Sequence, residues 1–240
     1  MEEVNNKTGS GADGNIEGRR ADGKIEGREM RLSKDRPESG GFDLMVITSP
    51  VFFAGEVDCL KGMLEAGLQK LHIRKHGAAE GGIEELLDQL PDRWYSRLVM
   101  HGRRDLAVQY GIPQIHCSAK EWQEGRASKE ERAGMKVSVS LHSWKEAGEM
   151  GTGIEYAFLS PLFDCISKPG YRANPGLLER PPGPHPCKMI GLGGIDKNTV
   201  LPVIEHGWDG AALLGWIWEE PSAAVDRYMV IQELIHTYRL

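Results

Sequence analysis

The sequence is poor in cysteine. Four of its 240 residues, Cys59, Cys117, Cys165 and Cys187, lie far apart with no C-x-x-C pair and no Cys/His cluster of zinc spacing. That pattern excludes a structural zinc site of the usual spacing and a disulfide framework, and it points to a reducing, cytoplasmic setting. Long apolar runs are missing too: none approaches the ~20 residues needed to cross a bilayer, and the amino terminus shows no signal-peptide pattern. There is no surplus of positive charge. The net charge is −6 and the isoelectric point about 5.8, so neither nucleic acid nor an anionic membrane is an expected partner, and any phosphate must be held by a local site. No G-x-S-x-G elbow, no cysteine beside a base, no Walker loop and no G-x-G-x-x-G motif after a strand is present, which removes the common nucleophilic and nucleotide-binding arrangements.

Residues 1–41 are rich in Gly, Asn, Asp, Glu, Lys and Arg without apolar periodicity, and they contain a tandem repeat built on Ile-Glu-Gly-Arg. This composition predicts a disordered tail, and the repeat resembles a protease linker. From Phe42 the chain changes character. Short β-prone runs at 44–48, 71–74, 97–100, 115–117, 136–140, 156–159, 188–191 and 210–214 alternate with helical patterns. One example is the Ile83, Leu86, Leu87, Leu90 stripe, which stops at Pro91. Ser143-Trp-Lys-Glu146 reads as a capping box, Asn198 as an N-cap, and 175–186, with five prolines, as a loop with one short turn. Eight strands alternating with helices predict an α/β protein, a (β/α)8 TIM barrel forming a single domain over 42–240. An open doubly wound sheet is the rival.

In a barrel the ligand sits at the carboxyl ends of the strands. Arg74, Lys75 and His76 follow the second strand, His101 and Arg103 the third, Ser140 and His142 the fifth, and Ser167 and Lys168 the sixth. Gly193-Gly194 and Leu214-Gly215 end the last two, where backbone N–H groups can point at a phosphate. His72 alternates inward with Arg74, and His116, in an apolar run, reads as a core residue. Lys168 stands out as a lone lysine on a loop fixed by Pro169 and Gly170.

These rim segments resemble, in order, the thiamine-phosphate synthase / thiazole tautomerase (TenI-like) superfamily of TIM barrels. The segments are Leu71-His-Ile-Arg-Lys75, Leu98-Val-Met-His-Gly-Arg-Arg-Asp-Leu-Ala107, Ser140-Leu-His-Ser143, Phe158-Leu-Ser-Pro-Leu-Phe163 with Ser167-Lys168, Leu192-Gly-Gly-Ile195, and Gly207-Trp-Asp-Gly-Ala-Ala-Leu-Leu-Gly215. The resemblance implies a transferase that joins hydroxymethylpyrimidine diphosphate to thiazole phosphate, giving thiamine phosphate and diphosphate. Its substrates are thus small phosphorylated pyrimidine and thiazole compounds, and Lys168 and Arg74 are the implied catalytic residues. Carried over by position, His72, Arg74, His76, His101, Ser140 and Lys168 serve the pyrimidine diphosphate. Cys165, Ile166 and Ser167 contact thiazole phosphate, and Gly193, Gly194, Leu214 and Gly215 hold its phosphate. Mg²⁺ is the implied cofactor, with Glu121 at one carboxylate position. The chain departs from the family at the other, carrying Gly102 where synthases have Asp. Gly102 and His-Ile-Arg in the second strand are also what tautomerase-like relatives tend to have, which keeps a thiazole tautomerase reading open, with His101 or His142 as its acid–base group. A non-catalytic barrel that binds a thiamine-pathway phosphate is the third reading.

Overall fold

The computed structural model describes residues 41–77, 79, 81–125, 134–164 and 172–239. The chain divides into two units, Met1–Glu38 and Ser39–Leu240, and the described residues all belong to the second. Eight short strands alternate with helices: β1 (Asp43–Ile47), β2 (Lys70–Ile73), β3 (Leu98–His101), β4 (Gln114–Ser118), β5 (Lys136–Leu141), β6 (Tyr156–Leu159), β7 (Lys188–Leu192) and β8 (Gly210–Leu213). Every neighbouring pair is parallel, and β1 bonds to both β2 and β8, so the sheet closes on itself. The architecture is a (β/α)8 TIM barrel, as the alternation of periods predicts, and the open sheet is excluded by the β1–β8 pairing.

The helices are α1 (Glu56–Glu65), α2 (Gly82–Asp88), α3 (Arg104–Gln109), α4 (Ala119–Gln123), α5 (Trp144–Glu149), α6 (Pro175–Leu178), α7 (Val200–Glu205), α8 (Gly215–Trp218) and α9 (Ala224–Arg239). Strand residues that point outward, such as Val46, Leu71, Ile73, Met100, Val139, Ala157 and Leu213, meet helix residues such as Leu60, Met63, Leu87, Val203 and Ile231 in the larger core. Residues that point inward form a second cluster of Met45, Ile47, Tyr156, Phe158, Ile190 and Ala212. Burial on both faces explains why these strands read as nearly continuous apolar runs rather than as clean alternation.

Two local expectations are corrected. Thr199, not Asn198, occupies the position before α7, and it is Asp196 Oδ1 that accepts from the N–H groups of Asn198 and Thr199, at 2.7 and 3.0 Å. The box at Ser143 is only half formed: its hydroxyl accepts from Glu146 N at 3.1 Å, while the Glu146 carboxylate accepts from His142 N at 2.7 Å instead. A complete capping box lies elsewhere, between Ser118 and Glu121.

Candidate active site

Because all eight strands run parallel, their carboxyl ends form one rim. Arg74 and His76 lie just past β2, His101 ends β3, Ser140 lies near the end of β5 with His142 beyond it, Gly193 and Gly194 follow β7, and Leu214 and Gly215 follow β8. The fold therefore brings these predicted residues to one end of the barrel. Cys165, Ile166, Ser167 and Lys168 lie outside the described residues.

Arg74 is held by its backbone. Its N–H donates to Thr48 Oγ1 at 2.9 Å, and the Thr48 hydroxyl donates to the Arg74 carbonyl at 3.2 Å. Its side chain is half-buried, and desolvation lowers its pKa. Among the described residues no carboxylate forms an ion pair with it. Lys75 behaves oppositely, and its placement on the rim is corrected: it points outward and bonds both carboxylate oxygens of Glu56 on α1, at 2.5 and 2.6 Å, with its Nζ 4.4 Å from the Phe52 ring centre. The exposures of these two side chains, 0% and 3%, make this a buried ion pair. Strand alternation decides the difference, since His72 and Arg74 share the inner face and Lys75 takes the outer one.

Inside the barrel, β2, β3 and β4 contribute His72, His101 and His116. His72 Nδ1 lies 2.8 Å from His101 Nε2, and His72 Nε2 lies 2.8 Å from the Tyr156 hydroxyl. His116 bonds through Nδ1 to Ser138 Oγ at 2.8 Å and through Nε2 to Ser140 Oγ at 2.7 Å. The His101 and His116 rings stack with centres 4.2 Å apart. Burial, and then the charges of neighbouring cationic groups, hold His72 and His101 well below the ordinary imidazole pKa, and burial pushes His116 down to about 3. All three rings are therefore neutral at pH 7. Arg74 and His76 are among the groups acting on His101. The reading of His116 as a plain core residue is incomplete: it is buried, yet it joins a polar network. Its serine partners lie 22 and 24 residues away in sequence, a cross-strand pairing that a local motif does not show.

His142 is exposed, and its Nδ1 lies 3.1 Å from the Ser160 carbonyl. A carbonyl can only accept, so Nδ1 carries the proton, and in the neutral ring Nε2 keeps its lone pair. Gly194 has φ +63°, and a Cβ there would meet the Asp164 carbonyl oxygen at 2.6 Å and Phe163 Cβ at 2.7 Å. The glycine makes room for the chain after β6, whose Phe163 N donates to the Gly193 carbonyl at 3.1 Å.

Among the described residues, those at the two family positions do not fit the implied Mg²⁺. That ion takes an octahedral shell of oxygens. Gly102 offers no side chain, and the Glu121 carboxylate accepts from the Ser118 N–H and hydroxyl, both at 2.7 Å, as the return half of its helix cap. The Ser-x-x-Glu pattern ahead of α4 is the signal that assigns Glu121 to capping. Among the described residues, the group whose ligand atoms approach one another closely enough for a metal is His72, His101 and His116.

A cavity of about 790 Å³ opens at the opposite end of the barrel, lined by Phe42, Asp43, Lys70, Glu155, Tyr156 and Lys188 among others. Its charges are largely spent on each other, Lys188 on Asp43 at 2.7 Å and Lys70 on Glu155 at 3.7 Å. In (β/α)8 enzymes this face serves stability, and the chemistry sits at the carboxyl ends.

Comparison with known proteins places the chain in a family and supports its fold. The family model described as thiamine monophosphate synthase matches residues 44–217. The thiamine-phosphate synthase of Listeria monocytogenes serotype 4b is 26% identical over 203 residues, covering 76% of this chain and 93% of that protein. Among solved structures, thiamine phosphate pyrophosphorylase from Bacteroides thetaiotaomicron superposes with a TM-score of 0.63 at 24% identity, covering 80% of this chain and 97% of that one. The Pyrococcus furiosus thiamine phosphate pyrophosphorylase gives 0.63 at 17% identity, covering 82% and 96%. At these identities the structures speak to the fold.

Proposed function

Since the chain belongs to the thiamine monophosphate synthase family, we propose that it is a transferase that joins hydroxymethylpyrimidine diphosphate to thiazole phosphate, releasing diphosphate and forming thiamine phosphate. In this reading the pyrimidine C–O bond to diphosphate breaks first, and the thiazole nitrogen donates its electron pair to the pyrimidine cation so formed. Negative charge grows on the departing diphosphate, so donors and cations aimed at that charge matter more than a nucleophile. Arg74, with no carboxylate partner among the described residues, supplies such a cation. His101, His76 and Ser140 lie on the same side of the rim and supply further donors. Lys168 is the other cation this reading requires. The N–H groups at Gly193, Gly194, Leu214 and Gly215 take the thiazole phosphate. The observation that carries the reading is the meeting of Arg74 with His101 and Ser140 on the inner face of one barrel end, opposite the glycine-bearing ends of β7 and β8.

The test is to incubate the chain with both substrates, with and without Mg²⁺, and to measure diphosphate and thiamine phosphate. Formation of both products in either condition supports the reading, and no product in both ends it.

A thiazole tautomerase is the second reading, favoured by one observation: His142, anchored through Nδ1 to the Ser160 carbonyl, presents Nε2 as a base. Deuterium uptake from D₂O into the thiazole carboxylate substrate, lost in His142→Ala, supports it; no uptake removes it.

A further inference from the structure

Three imidazoles on three adjacent strands, β2, β3 and β4, converge at one point inside this barrel. His72 Nδ1 and His101 Nε2 are hydrogen-bonded at 2.8 Å, so one of them carries the proton that an ion would displace. A ring nitrogen of His116 completes a set whose atoms all fall within 4.8 Å of one another. A tetrahedral ion with bonds of ~2.0–2.1 Å separates its nitrogen ligands by a little over 3 Å, so an opening of about half an ångström between His72 and His101 admits it.

The surroundings match what metal-binding histidines require. A ligating imidazole is normally held by a hydrogen bond at its other nitrogen, which fixes tautomer and orientation. Here the Tyr156 hydroxyl sits 2.8 Å from His72 Nε2. His116 has a serine at each nitrogen, Ser138 Oγ at 2.8 Å and Ser140 Oγ at 2.7 Å, so whichever nitrogen turns to an ion, the other stays supported. Burial keeps the rings neutral, and neutral imidazole is the form that binds.

We propose that His72, His101 and His116 form a binding site for a borderline transition-metal ion, Zn²⁺ or Co²⁺, within the polar half of the barrel. Imidazole suits such ions and not Mg²⁺. Three histidines leave a fourth position open. The nearby Arg74, whose charge bears on His101 and His116, favours an anionic oxygen there. Besides that opening, binding requires a ring to turn: the His101 and His116 rings are stacked, 23° from parallel, and one must rotate for both lone pairs to meet the ion. The site shares His101 and Ser140 with the reaction proposed above, but it does not depend on that reading, because the titration below reads binding and not turnover.

The experiment is a titration of the full chain with Co²⁺ in chelator-free buffer, followed by visible absorption. A saturable set of intense four-coordinate bands, bleached by Zn²⁺, is expected. His101→Ala abolishes the bands, whereas His236→Ala, on the remote face, leaves them. Tyr156→Phe, which removes only the supporting hydroxyl, weakens Co²⁺ affinity by about 10- to 100-fold. Absence of the bands in the unaltered chain, or their persistence in His101→Ala, overturns the site. If thermal melts show His101→Ala unfolded, Tyr156→Phe decides: weakened affinity supports the site, and unchanged affinity overturns it.

Discussion

The two halves of the barrel interior are built from different chemistry. Strands β2 to β5 face inward with His72, Arg74, His101, Gln114, His116, Ser138 and Ser140, whereas β6, β7, β8 and β1 supply Phe158, Ile190, Leu192, Ala212, Leu214, Met45 and Ile47. Tyr156 marks the seam, its ring in the apolar cluster and its hydroxyl on His72. An apolar filling stabilises by burial alone. A polar one must satisfy every donor and acceptor first, and its members cost more when one partner is lost. A barrel that needed only stability has no reason to carry the second kind. The polar half continues to the rim at Arg74, His101 and Ser140, where the proposed ligand site lies.

Acid separates the halves most strongly. Neutral His72, His101 and His116 have folded pKa values below the ordinary 6.5, so below that pH the unfolded chain binds more protons and stability is lost as the pH is lowered. The loss is roughly 1.4 kcal/mol per pH unit for each ring, starting near pH 6.5 and ending for His116 near pH 3. Denaturant melts between pH 7 and pH 4.5 check it. Next comes Phe158→Ala in the apolar half, expected to cost about 3–5 kcal/mol at pH 7 through lost burial and a cavity, with the pH slope unchanged. Outside the barrel, Glu56→Ala leaves Lys75 charged and buried and costs about 3–4 kcal/mol, which urea unfolding measures. His72→Phe keeps the ring's bulk but strands the Tyr156 hydroxyl and His101 Nε2. It is expected to lose about 1–3 kcal/mol and to flatten the pH slope, so an undiminished slope would deny His72 its part in it.

Much of the fold was legible because it rests on local signals. The eight strands fall where β-prone runs alternate with helical stripes, and β6 matches residue for residue, since Ser160-Pro161 ends it abruptly. The strand ends brought Arg74, His101 and Ser140 to one rim, but they did not show that Lys75 turns outward to Glu56. What stayed hidden depends on contacts between distant segments. The partner of Lys75 is Glu56, 19 residues earlier, and that of Tyr156 is His72, 84 residues earlier. No spacing rule links such pairs. Glu121 is a different case, because the signal beside it is local: the Ser118-x-x-Glu121 pattern marks the helix cap that its carboxylate completes.

The account turns on Arg74 as a cation for a departing diphosphate. Steady-state synthase kinetics of the unaltered chain and Arg74→Met, measured side by side with both substrates, test this most directly. The expected result is product from the unaltered chain and a fall in kcat of about 10²- to 10³-fold in the variant, the scale set by loss of one charge-stabilising donor. Equal turnover in the two proteins would contradict it.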